Sequence, residues 1–230
     1  MTNILLINFI ERIGMKKLCI FDFDGTLFNS LDDVADCFNA TLQKLGFLDS
    51  ITDDYINAVG GNIYEIIRII LGNNATEENI QKVKETYEVL YNNDPKSNTK
   101  PYDGMKELLT ALNEKNIILA INSNRNPDSI NYFLNRYLGD IDFLDIQGHV
   151  PTNPSKPDPY GVNTIIEKAE VGLDDAIYIG DSITDIKTAE NANIDCVLVD
   201  WGYGLEEVYD NSYPLKIVSS PDEIMDIVLN

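Results

Sequence analysis

Residues 18–26 read LCIFDFDGT, a stretch that joins an apolar run to a turn with two carboxylates. The run 18–21 is typical of a β-strand buried on both faces of a parallel sheet. Asp22 and Asp24 stand two positions apart at its end, so their side chains can point the same way. Gly25 lets the backbone turn closely, and N–H groups in such a turn can bind an anion. The stretch therefore predicts a polar site at the carboxyl end of a first strand.

Three more polar motifs follow along the chain: NSNR at 122–125, KPDP at 156–159 and GDSITD at 180–185. The first and the third come directly after apolar, strand-like runs, as the first carboxylates do. Ligands of open α/β sheets bind at the carboxyl ends of the strands. We therefore expect all four motifs to meet at one edge of a sheet.

The side chains in these motifs suit a phosphate group and a divalent cation. Asp181 and Asp185 are four apart at a predicted helix start, so they share one face, and hard oxygen ligands of this kind suit Mg²⁺. Ser123 can donate its hydroxyl to a phosphate oxygen, and Lys156 offers a point charge. Taken alone, Asp181 or Ser123 could simply cap a helix, and Lys156 could be an ordinary surface residue. The ordered set favours a shared site.

The composition restricts the partners. The chain has 230 residues, enough for a proper core, and its 17 basic and 38 acidic residues give a net charge of −21. This charge disfavours nucleic acid and anionic membranes as partners, and no apolar run approaches the roughly 18 residues of a membrane span. A phosphorylated substrate is itself an anion, so a metal ion, a few Lys or Arg side chains and helix N-termini must supply local positive charge. Three unpaired cysteines suit a reducing compartment, and we expect a cytoplasmic protein.

The periodicity predicts two domains. Helical stripes fill residues 29–98, beginning at Ser30 and including a short helix over 53–58, whereas helices and strands alternate after residue 100. We predict an α/β core of residues 15–28 and 99–230, a Rossmann-like parallel sheet with helices on both faces, and an inserted α-helical cap of residues 29–98. We expect a monomer or weak homodimer, and we expect residues 1–14 to be an extension upstream of a native start at Met15.

In order and position, the four motifs resemble those of the haloacid dehalogenase superfamily, especially its phosphoglycolate-phosphatase-like branch. The resemblance covers about residues 17–204. It implies a Mg²⁺-dependent phosphomonoester hydrolase that works through an aspartyl-phosphate and acts on a small phosphorylated metabolite such as phosphoglycolate.

The resemblance also implies individual roles. Asp22 would be the nucleophile, Asp24 the general acid and base, and Lys156 would bind both the phosphate and the nucleophile. The positions implied at the phosphate are Gly25, Ser123, Asn124 and Lys156. The positions implied at the metal are Asp22, Asp24 through its backbone carbonyl, Asp181 and Asp185.

The predicted cap is expected to carry specificity. The glycine-rich breaker at 60–62 is placed to meet the substrate, with Asn62 as a contact, and Arg68 and Arg125 are candidate contacts for its anionic groups. The joins between cap and core, near 28–29 and 96–100, are expected to act as a hinge. For His149, the only histidine, and for Trp201, packing is the favoured interpretation.

Two other functions share some of these features. Hexose phosphomutases of the β-phosphoglucomutase type have the same core motifs, but their caps carry a His-Lys pair and an Arg-rich loop, whereas residues 30–98 contain no His and only Arg68. A receiver-like signalling domain also phosphorylates an aspartate, but its acidic pair is adjacent and separate from the acceptor. A dehalogenase would lack the carboxylate of Asp24.

Overall fold

The computed structural model describes residues 14–50, 55–56 and 58–230, with the backbone alone at Glu207. Its main sheet has six strands, and every neighbouring pair is parallel. The strands of this sheet, in spatial order, are β5 (Asp145–Gln147), β4 (Ile118–Asn122), β1 (Leu18–Phe21), β6 (Ala176–Gly180), β7 (Asp195–Val199) and β8 (Lys216–Val218). The predicted Rossmann-like α/β sheet is thus confirmed, with β1 between β4 and β6.

Helices cover both faces of this sheet. The core helices are α4 (Met105–Glu114), α5 (Pro127–Tyr137), α6 (Tyr160–Ala169), α7 (Ile183–Ala192) and α8 (Pro221–Leu229). Side chains of α4, α5 and α8 pack on the face that contains Phe21, whereas those of α6 and α7 pack on the face that contains Ile20. Alternate residues of β1 therefore enter opposite layers, because side chains alternate along a strand.

Three further helices lie between β1 and β4 in the sequence and share a separate apolar core. They are α1 (Leu31–Leu45), α2 (Ile63–Leu71) and α3 (Glu77–Asn93). In this core the rings of Phe38 and Tyr87 stack with centroids 4.1 Å apart. We call the helices and their loops the cap; its predicted boundaries stay a prediction. The short helix predicted over 53–58 falls largely outside the described residues, and residues 58–60 form a turn.

A two-stranded antiparallel ribbon connects the cap to the core. Strand β2 (Phe28–Asn29) pairs antiparallel with β3 (Lys100–Pro101). Beside it, the buried carboxylate of Asp33 in α1 accepts hydrogen bonds from the backbone and side chains of Asn98 and Thr99, at 2.6–3.2 Å. The two chain segments predicted to form a hinge are therefore tied to each other and to α1.

No helix in the described part of the chain combines the length and apolar character needed to cross a membrane.

Candidate active site

The carboxyl ends of β1 and β6 bring together the carboxylates that the sequence separates by about 160 residues. Asp22 directly follows β1, Asp181 follows β6, and Asp185 lies in the first turn of α7. One oxygen from each of these buried side chains lies within 4.8 Å of the others. The predicted convergence of these two motifs is seen in the structure.

Lys156 neutralises part of this cluster. Its Nζ lies 2.8 Å from Asp22 Oδ1 and 2.7 Å from Asp185 Oδ1, and the ammonium is buried. Burial alone would lower the pKa of Lys156, but Asp185 and Asp22 raise it well above its usual range. The lysine therefore stays charged and holds the nucleophile candidate in place.

The donor set fits a divalent metal ion. Asp22 Oδ1 contacts Lys156 only as an ion pair, without hydrogen-bond geometry, so this buried oxygen retains a lone pair for another cation. Burial raises the pKa of the Asp22 carboxyl to about 7; Lys156 opposes that shift, and the negative charge of Asp185 adds to it. Burial and the charges of Asp185 and Asp22 likewise raise the pKa of Asp181. Three carboxylates this close need more positive charge than Lys156 supplies.

Both carboxylate oxygens of Asp185 accept hydrogen bonds from neighbouring residues. Its Oδ2 accepts hydrogen bonds from the backbone and hydroxyl of Ser182 at 3.0 and 2.6 Å, while Ser182 caps α7. Its Oδ1 accepts from Lys156 and, at 3.3 Å, from the Tyr178 hydroxyl. Both oxygens are thus engaged, which favours an orienting role for Asp185 over one as a principal ligand.

The loop after β7 fixes Asp181, a role that was not predicted from the sequence. The Tyr203 N–H donates to Asp181 Oδ2 at 2.7 Å, and the Thr26 hydroxyl donates to Oδ1 at 3.1 Å. A Cβ placed on Gly202 would lie 2.3 Å from Asp181 Cβ, and one on Gly25, whose φ is +81°, would lie 2.3 Å from Asp181 Oδ2. The sequence signal was present, since residues 201–204 read WGYG, but glycine spacing alone does not identify the carboxylate that it packs against.

Asp24 points away from the acidic cluster. The Arg125 guanidinium binds both of its oxygens, at 2.7–3.1 Å, and the Ser30 hydroxyl donates to Oδ1. Ser30, where the predicted helical pattern begins, stands at the N-cap position of α1, but its side chain makes no cap hydrogen bond because its hydroxyl donates to Asp24. The metal role implied for the Asp24 backbone carbonyl stays a prediction.

Of the predicted phosphate contacts, Ser123, Asn124 and Lys156 line the same cavity as Asp22, whereas Gly25 is not in its described lining and packs against Asp181. Ser123 is buried at the cavity wall, and its Oγ accepts from Arg125 N at 3.2 Å. The Asn124 side chain accepts from Lys156 N at 2.9 Å and donates to the carbonyls of Lys156 and Gly60 at 3.3 and 3.2 Å. Asn124 therefore positions the lysine loop, which leaves Ser123 as the better placed of the two for a phosphate.

A cavity of about 640 Å³ separates cap and core above Asp22. Arg68, predicted to bind substrate anions, is not among its described lining residues, because Arg68 faces outward and pairs with Glu77 at 2.8 Å. Asn62 also lies outside the lining; its side chain caps α2 and donates to Ser155 Oγ at 3.2 Å. These two substrate contacts are corrected: Asn62 joins cap to core, and Arg68 is a surface residue.

Two side chains for which packing was favoured have different positions. Trp201 packs beside Tyr102 and donates its indole N–H to the Thr26 carbonyl at 3.2 Å. His149 lines the cavity, and within the described residues neither of its ring nitrogens has a hydrogen-bond partner. Burial lowers the pKa of His149, so its ring is neutral at neutral pH.

Comparison with known proteins gives a consistent picture. The family model for haloacid dehalogenase-like hydrolases matches residues 19–199. Phosphoglycolate phosphatases of Rhodospirillum rubrum and Photobacterium profundum are 30% and 26% identical, over 84% and 92% of this chain and 83% and 95% of theirs.

Solved structures share the fold. A protein from Bacteroides fragilis assigned to the haloacid dehalogenase-like hydrolases superposes with a TM-score of 0.83 at 26% identity, covering 91% of this chain and 99% of that one. A Lactobacillus delbrueckii protein assigned as a phosphoglycolate phosphatase gives 0.85 at 22% identity, over 94% of this chain and all of that one. At 22% identity the second similarity bears on the fold alone.

Proposed function

Because the chain belongs to the haloacid dehalogenase-like hydrolase family, we propose that it is a Mg²⁺-dependent phosphomonoester hydrolase that works through an aspartyl-phosphate. Its substrate would be a small phosphorylated metabolite. The names of its relatives make phosphoglycolate the reference substrate.

One observation carries the proposal. Asp22 lies on the cavity wall between the Lys156 ammonium, 2.8 Å away, and the carboxylates of Asp181 and Asp185. A carboxylate can attack a phosphorus atom only if the repulsion between two anions is relieved. Here a buried cation touches the nucleophile, and an acidic pocket suited to a second cation lies beside it.

The residues would act in two steps. Asp22 attacks phosphorus, and an O–P bond forms on its carboxylate. The bond to the substrate alcohol breaks as Asp24, which must first exchange its ion pair with Arg125 for a proton, protonates the leaving oxygen. Water then attacks the aspartyl-phosphate, Asp24 takes its proton, and Asp22 is regenerated with release of phosphate. Ser123 and Lys156 would hold the phosphate oxygens throughout.

The metal would be held by Asp22, the Asp24 carbonyl and Asp181, with Asp185 behind them. When bound, Mg²⁺ neutralises charge shared by the phosphate and the carboxylates. The buried, unpaired thiols of Cys19, Cys37 and Cys196 support the further proposal that the protein works in the reducing cytoplasm.

Replacement of Asp22 by Asn tests the nucleophile, because an amide cannot form the acyl-phosphate. We expect hydrolysis of p-nitrophenyl phosphate to fall at least about a thousandfold with the fold intact by circular dichroism. Activity within tenfold of wild type would contradict the assignment.

Chelation tests the metal. Activity should disappear in excess chelator, return with Mg²⁺ and return poorly with Ca²⁺, whose looser coordination misplaces the nucleophile. Full activity in chelator would rule out the metal role.

A further inference from the structure

The cavity itself points to the kind of alcohol that the substrate carries. We infer, on the basis of the proposed function, that the preferred substrates are phosphate monoesters of an uncharged alcohol with an apolar aromatic ring. Phosphoglycolate, with its second anionic group, would be a poor substrate.

The first argument is that three of the four described cations around the cavity are already paired with carboxylates of the protein. Arg125 is bound by both oxygens of Asp24, Lys156 by Asp22 and Asp185, and Lys84 by Glu88 at 2.7 Å. None of these three can meet a substrate carboxylate without giving up a carboxylate of the protein.

Lys96 is the remaining lysine or arginine in the described cavity lining, and its ammonium already has partners. Its side chain is buried, its Nζ donates to the Asp94 carbonyl at 3.1 Å, and the ammonium lies over the rings of Tyr91 and Tyr132 at 4.8 and 5.0 Å. These contacts already stabilise its charge. His149 brings no charge, although its unpaired ring nitrogens suit an uncharged polar substituent.

The second argument is the chemistry of the cap side. Nine of its described lining side chains are apolar or aromatic, and six of these form what we call the apolar wall: Val34, Phe38, Val59, Ile63, Ile66 and Tyr87. A glycolate group would leave this wall in contact with water, whereas an aromatic ring would cover it and gain the free energy of apolar burial.

The third argument is the volume of the cavity, which stays large although cap and core are already hydrogen-bonded to each other. The hydrogen bonds that join cap to core include those of Asn62 to Ser155 at 3.2 Å, Asn124 to the Gly60 carbonyl at 3.2 Å, and Arg125 to the Tyr91 hydroxyl at 2.7 Å. With these contacts in place the cavity still measures about 640 Å³, within the range of sites for ligands much larger than a two-carbon acid.

The test compares five esters of primary alcohols with Mg²⁺ present: benzyl phosphate, ethyl phosphate, phosphoglycolate, glycerol 1-phosphate and glucose 6-phosphate. We expect kcat/KM for benzyl phosphate to exceed that for each of the others at least about tenfold, from burial of the ring. An equal or higher value for phosphoglycolate or glucose 6-phosphate would overturn the inference and leave the proposed function intact.

A matched pair of variants on α2 tests the apolar wall. Ile66 is a half-buried wall residue, whereas Ile69 on the same helix is 56% exposed and lies outside the described lining. Ile66→Lys should lower the benzyl-to-phosphoglycolate ratio at least about tenfold, and Ile69→Lys should leave it unchanged. An unchanged ratio in Ile66→Lys would show that the wall does not select the alcohol.

A selective loss of phosphoglycolate turnover in Lys96→Met would place a carboxylate at Lys96 and also overturn the inference.

Binding by the wild-type protein separates the two proposals. Calorimetry with Mg²⁺ should show tighter binding of benzylphosphonate than of phosphonoacetate. If no ester were hydrolysed but this order held, the proposed function would fail and the ligand preference would stand. The reverse order would overturn the preference whatever the turnover.

Discussion

At the scale of single residues, the site depends on contacts that leave no room for a methyl group. Gly202 is the clearest case, since an added Cβ would come within 2.3 Å of Asp181 Cβ and 2.4 Å of the Gly25 carbonyl. No positive φ is involved at Gly202, so the conflict there is one of space alone.

We predict that Gly202→Ala displaces Asp181 and raises the Mg²⁺ concentration needed for half-maximal activity at least about tenfold. Gly172→Ala is the matched control, because the nearest atom to its added Cβ is 3.9 Å away. A magnesium titration of both variants checks this. Equal Mg²⁺ requirements in wild type and Gly202→Ala would contradict the packing argument.

The raised pKa of Asp22 has a consequence for stability in chelator. Its folded value of about 7 lies above the ordinary value of 3.8, so the folded state binds this proton more tightly than the unfolded state. The free energy of unfolding should therefore fall as pH rises from about 4 to about 7.

Urea denaturation at several pH values in chelator measures this slope. Asp22→Asn should have a shallower slope than wild type, although Asp181, whose pKa is also raised, would retain part of it. Identical slopes would contradict the assignment of the proton to Asp22.

At the scale of elements, the join between cap and core depends on the first turn of α1. Asp33 accepts hydrogen bonds from the backbone N–H groups and side chains of Asn98 and Thr99 while buried. Asp32, its neighbour in the same turn, is exposed.

We predict that Asp33→Asn lowers the free energy of unfolding by about 1–3 kcal/mol, because an amide nitrogen cannot accept the N–H and O–H donors. Asp32→Asn removes the same charge from the same helix start, so it corrects for the helix dipole. Denaturation midpoints and amide exchange at residues 98–99 check the difference. Equal effects of the two substitutions would show that the hydrogen bonds from Asn98 and Thr99 to Asp33 contribute nothing to stability.

At the scale of the whole molecule, the Arg125 side chain links the reaction centre to the cap. Arg125 binds Asp24 in the core and donates to the hydroxyl of Tyr91 on α3 at 2.7 Å. Cap position and the orientation of the proposed acid and base are thereby connected.

We predict that Tyr91→Phe lowers kcat/KM for all esters by about tenfold, because the bond to a charged group that holds cap and core together is lost. Tyr87→Phe is the control: its ring stacks on Tyr91 at 5.3 Å, but within the described residues its hydroxyl makes no hydrogen bond. Steady-state kinetics on two unlike esters measure kcat/KM for both variants and for wild type. The same loss in both variants would mean that the ring stack, and not the hydroxyl, matters.

Much of the fold was predictable because it follows from local pattern. The apolar pattern predicts helices over 127–137 and 221–229 and strands over 176–180 and 195–199, and the structure has these bounds. The same pattern predicts a strand at 142–146, which lies instead at Asp145–Gln147. Phe143 packs against the apolar core but precedes the residues that pair with β4. Periodicity identifies an element more reliably than its ends.

By itself, the sequence determined the order of the elements, the parallel sheet and the meeting of its motifs, because carboxyl ends of parallel strands share one edge. Only the tertiary structure decided which cation meets which carboxylate. Arg125 reaches Asp24 across 101 positions, Arg68 pairs with Glu77 nine positions away, and Lys156 lies between Asp22 and Asp185. Long side chains have many possible partners in the sequence, and the folded chain selects among them. At Lys156, Asp22 and Asp185 the selection is strict, because buried charges must be paired.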